Sequence, residues 1–139
     1  MKIESINNGI VIDHITAGKG MDLYHFLNLE SLDCSIALIK NAPSGKMDKK
    51  DIIKIGEILD IDLDALGYID PDVTVNIIEN GKIMKKYHPQ LPERLTNVLH
   101  CKNPRCITSV EQEIPHIFKL TDREHGVYRC IYCESQAKK

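Results

Sequence analysis

The sequence predicts an α+β protein in two parts. The first is an N-terminal ferredoxin-like β/α sandwich with helices on one face of a sheet. The second is a small C-terminal antiparallel-β module of zinc-ribbon type. Three observations lead there. Apolar β-branched runs alternate with helix-spaced segments through the first two thirds of the chain. Four of the cysteines crowd into the last third. Between them lies Pro89-Gln90-Leu91-Pro92-Glu93-Arg94, whose two prolines each remove a backbone donor and bias the preceding residue toward extended geometry. Such a segment is a stiff joint, and it places the domains at residues 1–94 and 95–139.

The elements follow in order. Ile10-Val11-Ile12-Asp13-His14-Ile15 is a β-branched, apolar strand signal. Leu23, Phe26 and Leu27 recur at helical spacing between Asp22 and Leu29. Cys34 to Ile39 predicts a second strand, and Pro43-Ser44-Gly45 a turn. Asp48 with Asp51 three residues on resembles a capping box with Asp in place of Glu, and it predicts a helix burying Ile52, Ile55 and Leu59. Val73 to Ile78 and Lys82 to Tyr87 flank Asn80-Gly81, the strongest short hairpin signal. The predicted order is β-α-β-α-β-β, with a further short strand at 3–6 and a short helix near 62–67. Beyond the joint, helix signals are sparse, and short strands are expected over His116 to Leu120 and Gly126 to Arg129.

Composition narrows the function. Hydrophobic residues make up 42% and charged residues 27%, the balance of a soluble globular chain. There is no Trp and there are only 7 aromatic residues, so the core must be built from Ile, Leu and Val. A net charge of -2 argues against a general nucleic-acid binder. No apolar run approaches a membrane span, and the N-terminus has no signal-peptide core, so a cytoplasmic protein is expected. There thiols stay reduced, and five cysteines are not a disulfide framework.

The cysteine spacing is Cys101-x4-Cys106-x23-Cys130-x2-Cys133. Zinc takes four tetrahedral ligands and favours thiolates. Two close pairs on tight turns supply them, and four thiolates close the shell against water. One structural zinc per chain is therefore expected, in a module too short of apolar residues to fold without it. A redox Cys-x2-Cys at Cys130 and Cys133 leaves Cys101 and Cys106 unexplained. Cys34 lies in an apolar strand as a core residue, and His100 is expected to be exposed rather than a ligand.

Lys49, Lys50 and Lys54 fall in the first turns of the predicted helix, where the dipole disfavours cations. The hairpin return adds Lys82, Lys85 and Lys86, and Asp13 and His14 close the first strand. Brought together, these suit a polyphosphate with a sugar hydroxyl on Asp13. On residue types alone, a solvated lysine-rich surface is the plainer account. Ala17-Gly18-Lys19-Gly20 lacks Walker spacing and is expected to be a turn. No nucleophile–base pair stands out, which favours a binding chain over an enzyme.

Several segments, in order and spacing, resemble one family. They are Gly9 to Ile15; Pro43-Ser44-Gly45-Lys46-Met47 with Lys50 to Ile55; Thr74-Val75-Asn76 with Ile78; Pro89 and Leu91-Pro92-Glu93-Arg94 with Asn97-Val98-Leu99; and the cysteine pattern with Cys130-Ile131-Tyr132-Cys133-Glu134. Over nearly its whole length the chain resembles the regulatory chain of aspartate carbamoyltransferase, an enzyme of pyrimidine biosynthesis. The resemblance implies a nucleotide-effector domain, a zinc domain that docks on the catalytic chain, and no catalytic residue. It implies regulatory dimers that join catalytic trimers, and nucleoside triphosphate effectors such as CTP and ATP. It places Asp13, His14, Lys54 and Lys86 around the nucleotide, with Lys50 nearby and Ile6, Asn76, Ile78 and Ile83 as base and ribose walls. The competing reading is a zinc-ribbon nucleic-acid-binding protein, for which residues 95–139 offer a net charge of only +2.

Overall fold

The computed structural model describes residues 7–58 and 65–137. The expected strand at 3–6, Ile6, Leu59 and the start of the helix near 62–67 lie outside the described residues. Two compact units divide the chain, one ending at Gln90 and the other beginning at Leu91.

The first unit holds β1 (Gly9–Thr16), α1 (Gly20–Phe26), a single 3-10 turn (Leu29–Ser31), β2 (Ile36–Ser44), β3 (Asp48–Ile55), α2 (Leu66–Ile69), β4 (Thr74–Glu79) and β5 (Lys82–Tyr87). The strands form one sheet in the order β2-β3-β1-β4-β5, and every neighbouring pair is antiparallel. Up to β4 this is the ferredoxin-like plan of two β-α-β halves, with β5 added by a hairpin. Asn80 (φ 51°) and Gly81 (φ 76°) make the turn, both left-handed as a two-residue hairpin requires.

Alternation decides what each strand buries. Ile10, Ile12, Ile53, Ile55 and Val75 point to one face, and Leu23, Leu29 and Leu66 cover them. All eight are 0–1% exposed. At about 25 cal/mol per Å² of apolar area, each such side chain is worth roughly 1.5–3 kcal/mol relative to leaving it in water.

The helix expected after Asp48 is a strand. Ile52 and Ile55 do recur three apart, but Asp51, Ile53 and Ile55 also recur two apart. A β-branched run between two partner strands favours the pleated choice. Asp51 is therefore no capping residue. Its buried carboxylate accepts backbone N–H bonds from Gly18 (3.1 Å), Gly20 (3.0 Å) and Asn41 (2.9 Å). A Cβ on Gly20 would sit 2.7 Å from Asp51 Oδ2, so only glycine fits there. Lys49, Lys50 and Lys54 consequently meet no helix dipole, and that argument for a cation site falls away. A second buried carboxylate, Asp70, accepts from the Thr16 backbone N–H at 2.7 Å and its hydroxyl at 3.2 Å.

The second unit holds β6 (Arg94–Thr96), α3 (Ile107–Val110), β7 (Ile117–Asp122) and β8 (Val127–Cys130), with the strands in the antiparallel order β6-β7-β8. Strand β6 was not expected. It lies directly after the prolines, and its three residues are too few to show a period. Leu95, Phe118 and Cys130 pair across the sheet and, with Tyr128, are 1% exposed. The Tyr128 hydroxyl donates to the Pro92 carbonyl at 2.6 Å.

Asp51→Ala should strand three backbone donors at once. The expected outcome is a loss of about 3 kcal/mol or more from the first unit in urea unfolding, with metal content unchanged.

Candidate functional site

Cys106 lies just before α3, Cys130 ends β8, and Cys101 and Cys133 sit in the loops facing them. Their four sulfur atoms lie within 4.8 Å of one another. Cys101 and Cys133 are 3.6 Å apart, and Cys106 and Cys130 are 3.7 Å apart. Four thiolates at the usual Zn–S length of about 2.3 Å form a tetrahedron with edges of about 3.8 Å. Two of the edges already have about that length and none exceeds 4.8 Å, so the cluster can hold one metal ion, and an all-thiolate tetrahedral donor set is what structural zinc takes.

The electrostatics point the same way. Burial pushes the Cys101 thiol up to about 12 and raises Cys130 as well. The hydrogen bond between Cys133 Sγ and the Ser135 hydroxyl, 3.3 Å apart, brings Cys133 down to about 6. Buried sulfurs so close together hold their negative charge only with a cation among them. The Thr108 hydroxyl donates to Cys106 Sγ at 3.1 Å and adds a polar contact in the surrounding shell. His100 is exposed and packs edge-on against His116, with ring centroids 4.8 Å apart. Cys34 lies against the core of the first unit.

A second arrangement lies on the face of the five-stranded sheet opposite α1. Lys54 on β3 pairs with Val11 on β1, Val11 with Asn76 on β4, and Asn76 with Lys86 on β5. Residues paired this way share a face, so the four side chains form one row. Asp13 lies two residues from Val11, on the same face, and pairs with Thr74. Lys50 Nζ sits 3.1 Å from Asp13 Oδ1. A bulge interrupts the β1–β3 pairing between Ile12 and Ile15 and puts His14 at φ 57°, where its Nδ1 is 3.2 Å from the Thr74 hydroxyl. Ile78 and Ile83 pair at the hairpin end of the same face. Asn76 is 8% exposed, and its Oδ1 has no hydrogen-bond partner among the described residues.

The sheet thus brings Asp13, His14, Lys50, Lys54, Asn76, Ile78, Ile83 and Lys86 to one face. It separates Lys85, which turns to the other side and lies over the Tyr87 ring. Lys82 pairs with Glu79. Val11 and Thr74, not singled out from the sequence, lie on this face as well, as strand alternation requires.

Two family models match the chain. Residues 1–90 match the allosteric domain of the aspartate carbamoyltransferase regulatory chain, and residues 93–139 match its metal binding domain. The chain belongs to the aspartate carbamoyltransferase regulatory chain family. A relative of that name from Clostridium botulinum is 54% identical over 134 residues, which cover 96% of this chain and 92% of that protein. One from Clostridium tetani is 51% identical over 135 residues, 96% and 94%. One from Bifidobacterium longum is 44% identical over 138 residues, 99% of each. The family is one of regulatory rather than catalytic chains, and its description supplies the allosteric and metal-binding parts. Among the described residues no helix is long and apolar enough to cross a membrane.

Metal binding at this centre must release thiol protons, because Cys101 and Cys130 are protonated at neutral pH when no cation is present. Affinity should therefore fall as pH falls, and a chelator competition should extract zinc more readily in mild acid than in mild alkali. Cys133→Ser should lose the metal and unfold the second unit while the first unit keeps its far-ultraviolet signal.

Proposed function

We propose that the first unit binds nucleoside triphosphates such as CTP or ATP on the sheet face opposite α1. We further propose that the second unit, held by zinc, docks on the catalytic chain of aspartate carbamoyltransferase. Paired regulatory chains then join catalytic trimers in the cytoplasm and carry the nucleotide signal to them. The unit ending at Gln90 and the unit beginning at Leu91 divide these tasks. The observation that carries the nucleotide part is the row Lys54–Val11–Asn76–Lys86, with a buried carbonyl oxygen at its centre that has no donor among the described residues.

The chemistry fits such a ligand. Two lysines stand at the ends of a row that spans three strand spacings, about 14 Å between backbones, and long side chains can close from there on one polyphosphate. Asn76 Oδ1 is available to an exocyclic amino group or a ribose hydroxyl, and Ile78 and Ile83 offer apolar contact to a base. Asp13, neutralised in part by Lys50, is a second acceptor for a sugar hydroxyl. Edge strands β2 and β5 each leave one side unpaired within the described sheet, which gives a second copy a template for dimer formation.

The nucleic-acid alternative is not favoured. Of the three aromatic residues that could stack on bases, Phe118 and Tyr128 are buried in the second unit and Tyr132 alone is exposed, and the family match assigns that unit to a regulatory chain.

Each ammonium contact to a triphosphate is a charge-assisted hydrogen bond. Lys86→Ala should therefore cost about 1.5–3 kcal/mol, roughly a 10- to 150-fold loss of affinity in calorimetric titration. Zinc content and assembly should be unchanged. Salt should weaken binding, since the site is near the surface. Tight triphosphate binding by Lys86→Ala, or none by the parent below millimolar concentration, would overturn the assignment.

A further inference from the structure

We propose that a row of three cations on the outer face of the β6-β7-β8 sheet receives carboxylates of the catalytic chain. This rests on the docking role proposed above and assigns it to a surface. Arg94 pairs with Lys119, and Lys119 with Arg129, so one side chain from each strand stands in a single cross-strand line. The adjacent line, Leu95–Phe118–Cys130, points the other way into the core, so the cations face away from the metal. All three are exposed, and none makes an ion pair among the described residues. They border an open concavity of about 560 Å³ that ends at Ile131 and Glu134.

Like charges directly opposite one another on neighbouring strands oppose strand pairing. A three-strand sheet has little pairing to spare, yet this one carries three such charges in a line. An acidic side chain in the middle position would have relieved the repulsion from within. The line is instead left for an anion from outside. Its geometry indicates which kind. Neighbouring strands are about 4.8 Å apart, so the charges are stepped at about 5 Å along roughly 10 Å. Carboxylates three or four residues apart on a helix are about 5–6 Å apart, which matches that step. The two outer guanidinium groups favour planar, two-pronged carboxylate contact.

Nucleic acid fits less well. The described outer face of the sheet offers no aromatic residue for base stacking, because Phe118 and Tyr128 belong to the buried face. Ile131, 37% exposed, supplies an apolar contact beside the charges, as a protein–protein surface would use.

Lys119 is the residue to change. Arg129 Nη1 donates to the Glu134 carbonyl at 3.1 Å, next to the metal ligand Cys133, so altering it risks the metal loop. The full-length chain, loaded with zinc, would be mixed with its cognate catalytic trimer and the assembly affinity measured at several salt concentrations. Lys119→Glu should weaken assembly roughly tenfold or more and flatten its salt dependence, with zinc content and triphosphate binding unaltered. Lys119→Gln should fall between it and the parent. If Lys119→Glu loses zinc, the neutral pair Lys119→Gln and Arg94→Gln decides by the same measure. Assembly as tight as the parent's, with the same salt slope, overturns the surface while leaving the docking role standing. Failure of the parent itself to assemble overturns both. Binding of inorganic tripolyphosphate or single-stranded RNA that is lost in Lys119→Glu while assembly is intact overturns the proposed partner.

Discussion

Side chains on a pleated strand alternate between two faces, and in both sheets of this chain one of those faces is closed by apolar packing. In the larger sheet Ile10, Ile12, Ile53, Ile55 and Val75 make that commitment, and in the smaller one Leu95, Phe118 and Cys130. Once those positions are buried, every intervening residue is assigned to the opposite face. The row from Lys54 to Lys86 and the row from Arg94 to Arg129 are each one residue out of step with a buried row. A slip of one residue in β3 would bury Lys54 and expose Ile53. Register is thus the condition on which the placement of both polar rows depends.

The second unit faces an additional constraint. Its buried side chains are few, and three of the four cysteines count among them. Burial alone drives two of those sulfurs toward the neutral thiol, while a tetrahedron of their dimensions is suited to thiolates around a dication. The metal therefore does two things at once. It ties together the loops on either side of the sheet, and it reverses the cost of gathering four sulfurs in one place.

How much of this was legible in the sequence depended on how local the signal was. The cysteine spacing is a local pattern with one dominant chemical meaning, and the four sulfurs stand together as it required. The Asn80-Gly81 hairpin is equally local and has the left-handed turn it called for. The segment after Asp48 was misread because its isoleucines satisfy both a three-residue and a two-residue repeat, and only pairing with β1 and β2 selects between them. The misreading did not disturb the grouping of Lys50 with Lys54, since a separation of four keeps two residues on one side of a helix or of a strand. The three contacts to Asp51 could not be foreseen at all, because they join residues 10 to 33 positions away that meet only in the folded sheet.

Asp51 has a wider meaning when set beside its neighbour. It is 0% exposed and fixes the entry to α1, whereas Lys50 projects from the opposite face and belongs to no part of the apolar cluster. Lys54, Asn76 and Lys86 are likewise absent from that cluster. Along these strands, positions in the apolar cluster alternate with positions outside it, except where bulges shift the register. Substitution of the exposed side chains on the face opposite α1 therefore leaves the apolar cluster untouched. A relative 44% identical to this chain has room to differ in what its sheet recognises while keeping the same scaffold.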